Sequence, residues 1–395
     1  MGALTGIRVV EIGLLVQGPQ AAALLSDLGA DVIKVELPNI GDQSRWLPSG
    51  PGTPLSGYFV GCNRGKRSVT LDVRTPGGKA AFIRLAAGAD VVISNFKPGT
   101  MDAWGLGYED LSARHPGLIY GTGSAFGPVG PDAEREGADL SGQTAGGLVS
   151  TTGRDGGEPT TVGVTIADHT SSQHLASGIL AALFSRERTG LGQRVDVSLL
   201  GGQIWAQASE YTAYFLSGQV PGRANGGHPL INGTYGMVQT SDGWLAIVGT
   251  PGPARQALAD AVGLPALFED PRFAPPLLTQ AHKIELLALL SKQFVQRTTA
   301  EWSEILRPIG VRYAPVRDYA AVADDPQVWE NGYLVKVDHP TLGSITMVGS
   351  PLRMSGTPTQ PGQVAPELGQ HTEEILLELG YTWEQIAELG AQAAI

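Results

Sequence analysis

Apolar residues along the first 125 positions recur in short runs separated by stretches of helical spacing, and this alternation sets the expected architecture. Residues 7–12 read as a strand, a turn through Gly18-Pro19 follows, 20–28 read as a helix and 31–35 as a second strand. Pro19 near a helix start and Gly29 just past its end are the punctuation such a unit needs. The pattern repeats with a strand at 68–73, a helix at 76–87 opened by Thr75 and Pro76, and a strand at 91–94. A helix at 108–114 and a strand at 118–121 continue it. Strands alternating with helices predict α/β units on an open, Rossmann-like parallel sheet.

Residues 123–160 lose the pattern to Gly, Pro and acids, and connections of that length are usually functional or disordered. An apolar run at 162–167 then ends at Asp168, after which Leu175, Gly178, Ile179, Ala182 and Leu183 keep helical spacing. This predicts a strand-to-helix turn at Asp168. A further strand follows near 194–198, then a helix over 203–216. Strands at 235–238 and 244–248 flank Ser241-Asp242-Gly243, a hairpin signal, and helices near 253–263, 281–295 and 299–308 complete a smaller α+β region. The tail is strand-rich from Asn331 and ends in a turn and a charged helix. The expected division is 1–200 as the first part of a large α/β domain, 201–224 as a linker helix, 225–325 as a small α+β domain, and 326–395 as a return to the large one.

Composition narrows the function. With a net charge of -11, the 395-residue chain lacks the general basic face that nucleic acid or an anionic membrane requires, so an anionic ligand must meet locally placed Lys and Arg. One cysteine, Cys62, excludes an intramolecular disulfide and a cysteine metal cluster, which suits a reducing, cytoplasmic setting. His169 and His174 lie five apart and point in different directions on a helix, so no metal site is expected. Arg8 and Glu11 interrupt the first apolar run, so it reads as a strand rather than a signal peptide. No G-x-G-x-x-G follows the first strand, which leaves dinucleotide binding without support.

The candidate chemistry centres on Asp168. An aspartate at a helix start can accept hydrogen bonds from unpaired amides, and the positive helix end favours its ionised form. That describes an oriented carboxylate nucleophile and a plain structural cap equally well, and the local residues leave both open.

Several segments, in order, carry a resemblance: LTGIRVVE from Leu4, GPQAAALLSDLGADVIKVE from Gly18, NRGKRSVTLD from Asn63, NFKPGTMDAWGLGY from Asn95, Asp168 with GILAAL after it, and GQHT from Gly369. Taken together, they make the chain similar to the family III CoA-transferases, the group of formyl-CoA and crotonobetainyl-CoA transferases and the related α-methylacyl-CoA racemases. The resemblance implies an acyl-CoA:carboxylate CoA-transferase with Asp168 as nucleophile, passing through a mixed anhydride and an aspartyl-CoA thioester. Asp139 matches an acid near the nucleophile. Val16, Gln17, Leu71, Arg74, Asn95, Phe96 and Lys97 match CoA-contacting positions, with Arg74 and Lys97 as phosphate partners. Gly226-Gly227 matches a mobile glycine loop over the aspartate.

Coenzyme A enters as substrate, with no tightly bound cofactor and no metal. The implied partners are acyl-CoA, a small carboxylic acid and a second copy of the chain in an interlocked dimer, with no nucleic acid and no membrane. Leu37 and Ala103 depart from the family, standing where some relatives place arginines. Racemases carry a histidine immediately before the position of Asp139, and Ala138 stands there instead; His169 is the one nearby substitute. Racemase activity and non-catalytic CoA binding are the alternatives.

Overall fold

The computed structural model describes residues 1–250 and 252–395. They divide into two compact units, the first made of Met1–Gly146, Val164–Ala206 and Asp325–Ile395, the second of Gly147–Gly163 and Gln207–Asp324.

The first unit is built on six strands: β1 (Arg8–Glu11), β2 (Asp31–Glu36), β3 (Arg67–Thr70), β4 (Val91–Ser94), β5 (Ile119–Ser124) and β6 (Arg194–Ser198). Their order is β3-β2-β1-β4-β5-β6 and every pairing is parallel, with Val9 opposite both Val32 and Val91. This is the predicted open parallel sheet. The order reverses between β1 and β4, so a crevice opens beyond the carboxyl ends of those two strands, where sheets of this kind take ligands.

Parallel strands must be covered on both faces, and they are. One face carries the helices Gln17–Asp27 and Ile166–Thr189, whose Ala22, Leu25, Leu175 and Ile179 bury Val9, Val32 and Ile93. The other carries Pro76–Ala87 together with Thr372–Glu378 and Trp383–Ala391, so Phe82, Leu85, Ile375, Leu376 and Leu389 share one core with Val10, Ile33 and Val92. The chain's last helices therefore complete the core begun by its first strands. β10 (Leu334–His339) and β11 (Gly343–Val348) pair as an antiparallel hairpin in this unit.

In the second unit β7 (Tyr235–Gln239), β8 (Trp244–Val248) and β9 (Tyr313–Pro315) form an antiparallel sheet. Helices Pro253–Ala261, Gln280–Phe294 and Thr299–Leu306 pack on it around Leu245, Ile247, Leu258, Leu290, Phe294 and Trp302. The hairpin turn at 241–243 lies where the sequence puts it.

Local differences from expectation have local causes. Helix Pro76–Ala87 keeps its predicted bounds because Thr75 Oγ1 accepts from Gly78 N (3.1 Å) and Pro76 opens the first turn. β3 stops three residues short of the expected end: Leu71 N still donates to Glu36 O, where β2 ends, and beyond it Asp72 N donates to Ala394 O. The helix expected over 203–216 is two, Leu199–Ala206 and Ala208–Ser217, because Gln207 leaves helical geometry at φ -108° and ψ 30°. The charged C-terminal helix is also two, separated at Gly380 (φ +79°), with Thr382 and Gln385 capping the second. Residues 123–160, read as irregular, include the short helices Asp139–Ala145 and Leu148–Thr151. The strand expected at 162–167 does not form: Gly163 interrupts it, Val164 is exposed, and the run joins no sheet.

Candidate active site

Helix Ile166–Thr189 begins without a side-chain cap from Thr165, and Asp168 sits in its first turn. The cap comes from elsewhere. Asp139, at the start of Asp139–Ala145, extends Oδ1 to the amides of Ala167 (2.7 Å) and Asp168 (3.2 Å), while its Oδ2 accepts from Gln143 Nε2 at 2.6 Å. Gln143, one helical turn on, also donates to Val164 O at 3.3 Å. The two helices approach closely enough that a Cβ on Gly142 would collide with the Cβ atoms of Ala167 and Leu199.

This corrects the reading of Asp168 as the residue that satisfies helix amides. Asp139 does that work, and the Asp168 carboxylate shows no hydrogen-bond acceptor role among the described residues. It corrects the expected direction of the carboxyl's pKa as well. Burial, with the nearby Asp139 charge added to it, pushes the Asp168 carboxyl up to about 7. The helix end does not overcome those two effects.

The neighbouring polar groups are fixed. Gln17, buried at the start of its helix, donates from Nε2 to Ser124 O (3.2 Å) and Ser171 Oγ (3.1 Å), and Ser171 Oγ donates to Asp168 O at 3.0 Å. Gly123 makes room for this, since a Cβ there would overlap the Gln17 side chain. His169 has both ring nitrogens engaged, Nδ1 with Gln20 Oε1 and Nε2 with Thr165 Oγ1 at 3.2 Å. Burial lowers its pKa, so the ring is neutral at neutral pH. Ala138 is the residue flanking Asp139, with no group able to carry a proton.

The remaining sequence candidates divide. Val16 is buried directly before the Gln17 helix. Asn95, just past β4, is stapled to the turn after β1: Oδ1 accepts from Leu14 N and Nδ2 donates to Leu14 O, both at 2.8 Å. Phe96 packs edge-on against Trp104 (5.3 Å between centroids) and, with Lys97, lines a cavity that also takes in Tyr108, Tyr120 and Thr122. Lys97 is exposed. Leu71 has its side chain in the core and its amide donates to Glu36 O at 2.8 Å. Arg74 is exposed and already pairs with Asp72, Nε to Oδ1 at 2.8 Å and Nη2 to Oδ2 at 2.7 Å.

Gly226 and Gly227 belong to the second unit. Gly226 is left-handed (φ +79°) and accepts from Met237 N at 2.7 Å; Gly227 donates to Ala224 O at 2.8 Å. No cluster of three or more His, Cys, Asp or Glu suited to a metal occurs among the described residues, and none of their helices is long and apolar enough to cross a membrane.

Sequence reading missed Gln143, Ser171 and Gln20. The i, i+4 spacing of Asp139 and Gln143 was a usable signal. The other two meet their partners only through the fold.

The family model described as CoA-transferase family III matches residues 4–372. The chain belongs to that family. A succinate–glutarate CoA-transferase of Agrobacterium fabrum is 37% identical over 383 residues, covering 95% of each chain. The human succinyl-CoA:glutarate CoA-transferase is 33% identical over 389 residues, covering 98% of this chain and 88% of that one. Among solved structures, a CaiB/BaiF family protein from Brucella suis superposes with a TM-score of 0.85 at 37% identity, covering 96% of this chain and 99% of that one. This family III CoA-transferase is therefore an enzyme that moves CoA between an acyl-CoA and a carboxylic acid, with CoA thioesters as substrates.

Proposed function

We propose that the transfer runs through Asp168. Its carboxylate oxygen attacks the acyl-CoA carbonyl carbon, the C–S bond breaks, and a mixed acyl-aspartyl anhydride and CoA thiolate result. The thiolate attacks the aspartyl carbonyl, releasing the first acid with one oxygen from Asp168 and leaving an aspartyl-CoA thioester. The second acid attacks that thioester, and thiolate return to its acyl carbon gives the new acyl-CoA and free Asp168. No ATP is needed, because the activated bond is never lost to water.

The observation that carries this reading is a half-buried carboxylate without a hydrogen-bond donor, raised to about 7 by burial and by Asp139. An ordinary carboxylate near 4 is a far weaker base than an alkyl thiolate near 8.5, so it expels thiolate with difficulty; closing about 3 units of that gap removes up to about 4 kcal/mol. At pH 7.5 most of it is still ionised and able to attack. Asp139 holds the helix start and keeps the neighbouring charge that raises Asp168.

The CoA reading places the thioester end near Val16 and Gln17, the chain past Leu71, Asn95 and Phe96, and a phosphate at Lys97, with Arg74 available once it leaves Asp72. Gly226-Gly227 is the proposed substrate loop. The dicarboxylate names of the relatives support succinate- or glutarate-like acids as the first to try. Exposed Phe215, Leu216 and Val220 support a second copy of the chain as partner, and the lone buried Cys62 fits a cytoplasmic setting.

The experiment is a panel of acyl-CoA donors and acids, with CoA products read by mass spectrometry, for the parent and Asp168→Asn. New acyl-CoA formed without ATP by the parent alone supports the reading. Activity of the variant within about tenfold of the parent contradicts it.

A further inference from the structure

Residues 13–15 of the turn joining β1 to helix Gln17–Asp27 are held by side chains rather than by backbone. Gly13 N donates to Glu11 Oε1 (2.6 Å) and Gly13 O accepts from Lys34 Nζ (3.0 Å). Leu14 is closed at both ends by Asn95, and Leu15 N donates to Asp42 Oδ1 at 3.0 Å. Past the turn, Pro19 O accepts from Lys66 Nζ at 2.8 Å. Each backbone polar group from Gly13 N to Leu15 N thus ends on a side chain supplied by β1, β2, the residue just past β4 or the loop at 42.

These anchors are themselves one buried ionic network. Lys34 Nζ lies 3.2 Å from Glu11 Oε1 and 2.9 Å from Asp42 Oδ2, and Lys66 Nζ lies 2.9 Å from Glu11 Oε2 and 2.7 Å from Asn63 Oδ1. Glu11, Lys34, Asp42 and Asn63 are fully buried and Lys66 is nearly so. Two lysines against two carboxylates leave the group neutral, which is what allows burial. A fold needing only a connection between β1 and the next helix would satisfy these amides with water or a short backbone turn.

The conformation so held is one the chain would not choose. Leu15 sits at φ +64°, a left-handed geometry that a leucine rarely adopts and that survives only where its surroundings over-determine it. The turn leads straight into Val16 and Gln17, and Gln17 reaches Ser171, whose hydroxyl bonds the Asp168 carbonyl. The network therefore connects to the helix start that carries the reacting carboxylate.

We propose that Glu11, Lys34, Asp42 and Lys66 are positioning residues for the transfer reaction, holding the strained Leu14–Leu15 turn so that Val16 and Gln17 meet the substrate in register with Asp168. The proposal rests on Asp168 as nucleophile. Strain kept beside a reacting group and maintained by buried charges, of which Asp42 also caps the turn at 43–46 by accepting from Ser44 N (2.8 Å), is the pattern of pre-organisation, in which a misplacement of about 1 Å lowers rate on the order of a hundredfold.

The test joins a measurement on the parent to one variant pair. In the parent, the Leu14 and Leu15 amides should exchange with solvent deuterium as slowly as those of β1, although they lie in a loop; exchange at the speed of exposed loop amides overturns the proposal even if Asp42 variants fail to fold. In folded Asp42→Asn, kcat should fall at least about tenfold, with faster exchange confined to 13–17 and to Ser44, whose amide also donates to Asp42 Oδ1. Adding Leu15→Gly removes the left-handed strain and should recover at least about threefold of the loss, which a merely global stabilising role of Asp42 would not allow. Folded Asp42→Asn with kcat within about threefold of the parent, or a loss that Leu15→Gly leaves untouched, overturns it. The exchange arm reads the turn without turnover, so a failure of Asp168 as nucleophile and a failure of the anchors are separate results.

Discussion

Asp168→Asn should make the protein more stable. The carboxyl is raised from 3.8 to about 7 by burial and the Asp139 charge, so the folded state holds a proton that the unfolded chain has already released. A carboxyl raised in this way weakens folding progressively as pH rises from its unfolded value through its folded one, and above that the penalty is constant. Taking about 3 units at about 1.36 kcal/mol each, the ionised aspartate opposes folding by up to about 4 kcal/mol at pH 8, and by only about 1.5 kcal/mol at pH 5. Asparagine keeps the shape and carries no charge at either pH. For a chain of this size the gain at pH 8 corresponds to a Tm higher by roughly 2–5 °C. Urea unfolding of parent and variant across pH 5–8 measures the difference directly. A variant no more stable than the parent at pH 8, or a difference that shrinks as pH rises, would refute the claim that burial and Asp139 act on Asp168 as described. The trade is the one expected where a reactive group is held against its own solvation preference.

Other outcomes follow from the same geometry. Asp139→Asn removes one of the two causes that raise Asp168, so the acid limb of the pH profile of kcat/KM should move below about 7, and an unmoved limb would leave burial as the sole cause. Lys97→Ala should raise the KM for acyl-CoA about tenfold with kcat within about threefold, because the phosphate contact proposed for it, far from the reacting carbon, would supply uniform binding. Arg74→Ala should do less, its guanidinium being committed to Asp72; equal kcat losses with unchanged KM in either variant would move the CoA elsewhere. A 2-methylacyl-CoA incubated in heavy water should gain no α-deuterium above background. Ala138 carries no proton and both His169 nitrogens are engaged, and deuterium uptake abolished by Asp168→Ala would favour the racemase reading.

Much of this was legible from short-range chemistry. Thr75-Pro76 fixed a helix start to the residue, Gly29 marked a helix end, and Ser241-Asp242-Gly243 marked a hairpin, because caps and turns are decided by neighbours in sequence. The parallel sheet followed from the alternation of its units. What stayed hidden depends on residues distant along the chain. Asp168 looked like the cap of its own helix because nothing nearby revealed that Asp139, on a separate short helix, takes the amides instead. The same distance concealed the raised pKa, which burial and the Asp139 charge produce. Glu11, Lys34 and Glu36 stood as charges inside apolar strand runs and so carried a signal, yet their partners Asp42, Lys66 and Arg45 are identified only by the fold. The break at Gln207 and the three-residue β9 ending in Pro315 have no periodic pattern to announce them.

The central claim is that an oxygen of Asp168 passes through the reaction, and isotope transfer tests it most directly. With the acceptor acid labelled in both carboxylate oxygens by oxygen-18, one turnover should leave a single heavy oxygen in the enzyme. Mass spectrometry should find it in the peptide containing Asp168 and no other, and in later turnovers the released donor acid should carry it. New acyl-CoA formed at full rate with no heavy oxygen in the enzyme or in the released acid, or with the label at Asp139, would contradict the account.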